Sequence, residues 1–295
     1  MELLQLKYFQ IAAKTQNFSR AAEELNISQP SLSMTISHLE DELGAKLFDR
    51  KGRNIELNES GAAFLARVNR IFFELENAKN EVSEINGTQS RRISLATTNP
   101  QLLSGILKKF LLEHKDIMIT QRCDTRENVE KQLQSGEIDF GLAVPAISGD
   151  DIICRILKEE EIVLVVPESH RYADQKSIDL YKVAEDAFIT LDHSYNFRKI
   201  TDDICQSAGF TPNIKFEVGG SLIKDMLELN RGIALLPKYM IERPHEGKSH
   251  LKMLKIVSPN PKIQIGLSWQ KQKYFSNAEK QFKDFFTENY NRLFA

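Results

Sequence analysis

The side chains in this sequence whose types and spacing suit chemistry point to recognition rather than bond-making. In the run SQPSLSMTISH that begins at Ser28, the residues Gln29, Ser33, Met34, Ser37 and His38 fall on one side of a helical period. Leu32, Ile36, Leu39 and Leu43 fall on the other and form a candidate buried stripe. A glutamine amide matches the paired donor and acceptor on the edge of adenine. A serine hydroxyl serves a base or a phosphate, and a methionine suits a thymine methyl. Just downstream Arg50, Lys51 and Arg53 cluster around Gly52, which places cations where a turn would carry them towards phosphates or a minor groove. The helix taken alone also reads as any amphipathic helix with a polar face, and the pattern leaves both readings open.

These side chains need elements to hold them. Ser19 reads as the N-cap of a short helix carrying Ala21, Ala22 and Leu25 on one face, with Arg20 beside it. Asn26 and Ile27 make a turn. Ser28 caps a second helix, in which Pro30 and Ser31 lie in the first turn, where a missing N–H is no loss. Leu47 and Phe48, then Ile55 and Leu57, alternate on either side of the cations as a short hairpin. Upstream, residues 3–15 form a first helix through Leu6, Phe9 and Ala13. The whole reads as a winged helix-turn-helix, which docks a helix in the major groove of DNA. Residues 1–60 hold seven Lys/Arg against nine Asp/Glu. The cations must therefore be concentrated at the wing, and modest non-specific affinity is expected.

The run A-A-x-x-L-x-x-S-Q-P-S-L-S-x-x-I-x-x-L-E-x-x-L-G-x-x-L-F-x-R, from Ala21 to Arg50, resembles the N-terminal domain of LysR-type transcriptional regulators. Met34 stands where that family often has a cation or glutamine, His38 where it often has a cation, and Asn58 where it often has Thr. The resemblance implies DNA contacts from Ser19, Arg20, Gln29, Pro30, Ser31, Ser33, Met34, Ser37, His38, Arg50 and Arg53.

From Glu59 to about Ile85 no Pro interrupts a helical stripe of Phe64, Leu65, Val68, Ile71, Phe72, Leu75, Ala78, Val82 and Ile85. A helix this long has no core of its own, so a second copy or intrachain packing must cover it. It resembles the linker helix through which LysR-type proteins dimerise. The polar break Asn86-Gly87-Thr88-Gln89-Ser90 ends it.

Beyond that break, strands and helices alternate, which implies parallel sheet. Strands are expected at 92–97, 116–122, 138–143, 152–157, 161–166, 187–191, 214–218, 232–236, 251–256 and 264–270. Helices are expected at 102–114, 127–135, 180–185, 195–209, 221–230 and 274–286. Ser135-Gly136-Glu137-Ile138-Asp139 and R-G-I-A-L-L-P, from Arg231 to Pro237, are similar to segments of the LysR-type effector domain. The resemblance implies an α+β multi-domain chain: a DNA-binding domain over 1–60, a linker over 61–87, and a periplasmic-binding-protein-like effector domain over 91–295. Its first subdomain spans 91–162 with 267–295 and its second 163–266, joined by two crossover strands.

In such folds ligands meet the carboxyl ends of strands and the N-termini of helices. The loops at those places carry Thr97, Thr98, Asn99, Pro100 and Gln101; Thr125; Val144, Pro145 and Ala146; Thr190, Asp192, His193, Ser194 and Asn196; and Gly220 with Ser221. Their hydroxyls, amides and backbone N–H groups suit a small anion. Ser, Thr and Asn are also ordinary helix caps. Ala96-Thr97-Thr98 with Gln101 is similar to sulfur-responsive members of the family, from which Pro100 departs by removing a hydroxyl and an N–H.

At 295 residues and 41% hydrophobic content the chain is long enough for two or three compact units, and a net charge of −2 excludes a polycation. Cys123, Cys154 and Cys205 are widely spaced, which argues against a disulfide framework; a redox-sensing pair is the alternative to buried free thiols. His245 and His250 sit in a polar stretch and read as solvated. The nucleophile-elbow, phosphate-loop, dinucleotide-loop and zinc-protease patterns are missing, so no enzyme, cofactor or metal is expected. No signal peptide or apolar spanning run is read, so a cytoplasmic protein is expected, with no membrane partner. Its expected partners are promoter DNA, a small effector, further copies of itself as a dimer or tetramer, and RNA polymerase. A small-molecule binding protein without DNA function is the competing class.

Overall fold

The computed structural model describes residues 1–51, 54–86, 91–103, 105–192, 196–220, 222–241 and 250–293, excepting the side chains of Arg50, Lys51, Asn54, Asn196 and Leu293. It divides into two compact units, one built on residues 1–90 and the other on the rest, with the short segment 134–137 grouped with the first.

The first unit starts with α1 (Leu3–Thr15), α2 (Phe18–Glu24) and α3 (Gln29–Leu43), followed by the antiparallel hairpin β1 (Phe48–Lys51) and β2 (Asn54–Leu57). The cap of α2 is Asn17, whose side chain accepts the Arg20 N–H at 3.0 Å, and not Ser19, which lies inside the first turn. Ser28 caps α3 as its position suggests, accepting the Ser31 N–H at 3.3 Å. Leu32, Ile36 and Leu39 are buried with Phe9, Ala21 and Ala22, but Leu43 is exposed because the helix stops at Gly44, in left-handed conformation, beyond the reach of that core. Glu40 shares the buried face, where its carboxylate accepts the Leu47 N–H and pairs with Lys46, both at 2.8 Å. That pairing ties the end of α3 to the start of the hairpin.

The long helix α4 (Glu59–Ile85) begins at Asn58, which caps it by accepting the Gly61 N–H at 2.8 Å. Phe64, Leu65, Val68 and Phe72 join the core of α1 to α3, so the first half of the stripe does find intrachain cover. Ile71, Val82 and Ile85 stay exposed.

The second unit contains two sheets that share one strand, and a separate two-stranded sheet. Strands β3 (Arg92–Thr97), β4 (Met118–Cys123) and β5 (Phe140–Ala143) are parallel, in the order β4-β3-β5, with helices α5 (Ile106–Glu113) and α6 (Arg126–Ser135) in the crossovers. The expected helix over 102–114 is split. A 3₁₀ turn over Pro100–Leu103 precedes Gly105, whose positive φ breaks the run before α5.

The two strands expected at 152–157 and 161–166 are one, β6 (Ile152–Pro167), 16 residues long. Its first part pairs with β12 (Lys262–Gln270), which also pairs with β5. Its last part pairs with β10 (Ala234–Pro237) on one side and β11 (Leu251–Ser258) on the other. β12 joins the first sheet from its first residue, Lys262, earlier than residue 267. A short strand β7 (Ser177–Asp179) edges β11, and β8 (Ala187–Leu191) pairs in parallel with β9 (Asn213–Val218). Helices α7 (Asn196–Ser207), α8 (Ile223–Glu228) and α9 (Asn277–Leu293) complete the unit. One core gathers Phe110, Phe140, Phe282, Phe286 and Tyr290 under the first sheet, and another gathers Leu164, Phe188, Ile204 and Leu254 at the second.

Beneath β3, Asp139 accepts the N–H and hydroxyl of Ser94, both at 2.7 Å, and pairs with the buried Lys273 at 2.6 Å. The Lys273 ammonium also meets Glu279 at 3.0 Å. This is the role of the aspartate in the S-G-x-x-D turn: it staples the loop before β5 to β3.

Candidate nucleic-acid interface and effector cleft

On the first unit the outward face of α3 borders a groove lined by Gln29, Pro30, Ser33, Met34, Ser37 and His38, with Phe48 and Ile55 from the hairpin on its far side. Gln29, Met34 and His38 are exposed; Ser31, Ser33 and Ser37 are half-buried. A second groove, on the other side of the hairpin base, brings Ser19 and Arg20 together with Asn17 and Glu56. The fold therefore gathers the described candidate residues around one hairpin, amide and hydroxyls on one side and Arg20 on the other. Arg53 and the side chain of Arg50 lie outside the described residues.

In the second unit the loop after β3 folds on itself. Thr97 is fully buried, and its hydroxyl donates to the Asn99 carbonyl at 3.0 Å while accepting the Asn99 N–H at 3.2 Å. The Thr98 hydroxyl accepts the Val144 N–H at 3.1 Å, so the 97–101 loop is tied to Val144, Pro145 and Ala146. Val144 packs against both the first and the second core, which puts these two loops at the seam between the sheets. Asn99 is committed at both ends of its amide: its oxygen accepts the Gln101 N–H at 3.0 Å and its nitrogen donates to the Tyr239 hydroxyl at 3.2 Å. Pro100 is exposed. Gln101 Oε1 is buried without a hydrogen-bond partner.

Thr125 lies in the loop after β4, beside the 97–101 loop: Asp124 donates its N–H to the Thr97 carbonyl at 3.1 Å. Thr125 itself is exposed and its hydroxyl accepts the Asn128 N–H at 3.3 Å, an ordinary cap on α6. On the second side, Asp192 donates its N–H to the Val218 carbonyl at 3.2 Å, which brings the ends of β8 and β9 and the 219–220 loop with Gly220 together. Thr190 is 2% exposed, with its hydroxyl unpartnered. His193, Ser194, Ser221 and the side chain of Asn196 lie outside the described residues.

Two groups were not legible in the sequence. Tyr239 follows β10, and nothing in the sequence links it to Asn99. Arg198, 7% exposed on α7, is held by Asp202 at 3.1 Å and Glu217 at 2.5 Å, and Glu217 faces Thr190 across the β8–β9 pair. Arg126, the cation nearest the first loops, is committed to the Ala146 carbonyl and Glu130. An incoming anion would have to compete with these partners.

Burial raises the Cys123 and Cys154 thiols above their ordinary range and takes Cys205 up to about 12, so none is poised as a thiolate. Among the described residues no His/Cys/Asp/Glu group is arranged to hold a metal, and no helix is long and apolar enough to cross a membrane.

The family model for the bacterial regulatory helix-turn-helix of the lysR family matches residues 3–62, and that for the LysR substrate binding domain matches residues 86–291. The HTH-type transcriptional regulator YybE of Bacillus subtilis, itself uncharacterised, is 31% identical over 99% of this chain and 100% of its own length. Full-length OxyR of Pseudomonas aeruginosa shares the fold, with a TM-score of 0.72 at 19% identity over 99% of this chain and 95% of that one. The effector binding domain of QuiR in complex with shikimate matches with a TM-score of 0.58 at 23% identity, over 68% of this chain and 97% of that one. A winged helix-turn-helix joined to a two-sheet effector-binding domain, with family models matched over both, makes this chain a member of the LysR family of transcriptional regulators.

Proposed function

We propose that this regulator binds promoter DNA as a dimer or dimer of dimers, through Gln29 and its neighbours on α3, and that a small polar effector seated at the sheet seam sets its activity. The observation that carries the effector reading is the pair of buried polar atoms, Gln101 Oε1 and Thr190 Oγ1, left without partners at the carboxyl ends of β3 and β8. A buried polar group without a partner costs about 1–3 kcal/mol, and a ligand that satisfies it recovers that cost. Occupancy would shift the population of hinge settings about the shared strand, alter the packing of effector domains between protomers, and change the spacing of paired recognition helices. The bend of the bound DNA, and the surface offered to RNA polymerase, would change with it. The relatives it resembles are regulators, which supports binding rather than turnover, and the chain would act in the cytoplasm, where its DNA lies.

The ligand chemistry is read as hydrogen-bonding more than ionic, because Arg126 and Arg198 already have carboxylate partners. Shikimate, which the QuiR domain holds, is a suitable first probe. It belongs beside hydroxy acids, amino acids and sulfur anions in a thermal-shift screen of the full chain. A ligand at 100 times its Kd adds roughly 2.7 kcal/mol of stability. The expected result is a saturable rise with one class that Thr98→Val or Thr190→Val removes. A rise that survives both substitutions would place the ligand elsewhere and overturn the seam reading.

DNA reading has its own test. Gln29→Ala is expected to cost about 1–3 kcal/mol and to relax preference at one base position. Uniform weakening over all sequences, with preference intact, would reduce Gln29 to a phosphate contact.

A further inference from the structure

Tyr239 joins the two sheets of the effector domain. β10 pairs Pro237 with Ile162, so two residues further along the turn Tyr239 comes beside Glu160 and donates its backbone N–H to that carboxylate at 3.2 Å. Glu160 is 3% exposed, with the Lys158 ammonium 3.1 Å from its other oxygen. The phenol ring packs on the core of the first sheet, and its hydroxyl accepts the Asn99 amide at 3.2 Å. Asn99 is fixed in turn by its own cap on the Gln101 N–H and by the Thr97 hydroxyl. One side chain thus spans from the shared strand β6 to the loop after β3. Burial raises the Tyr239 hydroxyl far above its ordinary range, so it stays neutral and able both to accept and to donate.

We propose that the Asn99–Tyr239 hydrogen bond is a hinge latch, which fixes the loop after β3 to the turn after β10 and sets the angle between the two sheets. The proposal rests on the seam being the effector cleft for its regulatory meaning, since an effector seated on Thr98 and Gln101 displaces or tightens Asn99, which lies between them. A hydrogen bond in this low-dielectric setting is worth more than one in water, and it has two discrete states, made and broken, as a switch element requires.

Hydrogen exchange of the full chain, without ligand, tests the latch. Tyr239→Phe removes the hydroxyl and keeps the ring. Asn99→Ser keeps an oxygen for the turn and is too short to reach the phenol. Each substitution is expected to speed exchange several-fold both at 98–103 and at 236–241, and the double variant to match either single, because one interaction is lost in all three. Asn99→Asp offers a carboxylate that accepts the phenol's own O–H. It should exchange nearly as wild type alone and fast in the Tyr239→Phe background. Effects confined to the substituted segment, or effects that multiply in the double variant, would overturn the latch. If Tyr239→Phe does not fold, the contrast of Asn99→Ser with Asn99→Asp decides the same question. Coupled exchange with no ligand response anywhere in the screen would remove the cleft and leave the latch standing.

Discussion

At the scale of residues, the second unit depends on a few buried charges whose removal has a calculable sign. The Lys273 side chain is buried between two carboxylates, and its ammonium holds Asp139 below the ordinary carboxylate range against the burial that would raise it. Burial pushes Glu279 the other way, above its ordinary range, and Asp139 beside it adds to that shift. The two carboxylates therefore act on stability in opposite directions. The contribution of Asp139 is present above its unfolded pKa and is lost as pH falls through its lower folded pKa. That of Glu279 is complete below its unfolded pKa and is lost as pH rises through its higher folded pKa. Glu279→Gln keeps an acceptor for the Ser276 N–H, which caps α9, and removes the second loss. The stability of this variant relative to wild type is expected to climb with pH through the window above 4.5, as read by urea unfolding at a series of pH values. Parallel curves would show that Glu279 titrates as in the unfolded chain. Lys273→Ala strands two buried carboxylates and is expected to cost about 3–5 kcal/mol.

At the scale of elements, the tightest junction is the start of α4. Gly61 lies against the Leu47 carbonyl and the Leu57 side chain so closely that a Cβ there has no room, while Asn58 caps the helix and donates its amide to the Lys46 carbonyl at 2.9 Å. Gly61→Ala is expected to pry the helix from the hairpin and destabilise the first unit by about 1–3 kcal/mol. Wild-type unfolding of the N-terminal unit, followed by exchange or proteolysis, would remove the junction from this account.

Elements of this kind were readable to the extent that one local pattern set them. The cap Ser28 and the stripe of α3 through Leu32, Ile36 and Leu39 are local, and their positions followed from residue types. β6 was read as two strands because Lys158, Glu159 and Glu160 interrupt its apolar run. In the structure Glu160 is buried, paired with Lys158 and accepting the Tyr239 backbone N–H, and the latter partner lies 79 residues away. The same distance hid Tyr239 from the candidate site, and the helix over 102–114 hid the break at Gly105. Thr125 was open to two readings because a cap and a binding loop use the same side chains, and the structure shows it capping α6.

At the scale of the whole molecule, the exposed end of α4 is the surface that the proposed partner copy would cover. Its first half is covered by the core of α1 to α3, but Val82 is 56% exposed and Ile85 is 80% exposed. Isolated apolar side chains on a surface need no explanation, but these two continue a stripe whose earlier members Phe64, Leu65, Val68 and Phe72 pack on the core of α1 to α3. A single recognition helix reads only a few base pairs, and first-unit cations are outnumbered by acids, so one unit alone should hold DNA weakly. Two units tied together make the second half-site contact intramolecular and can raise affinity by a factor of ~100 or more, provided the helices sit about 34–36 Å apart, one turn of DNA. Val82→Glu with Ile85→Glu places like charges on that seam without touching the groove-facing residues of α3. The expected outcome in sedimentation is a shift towards monomer, and in DNA binding a loss of cooperative occupancy of paired half-sites with single half-site contacts retained. An unchanged assembly with unchanged paired binding would show that the effector domains alone hold the protomers together. The apolar end of α4 would then have to be covered within the chain.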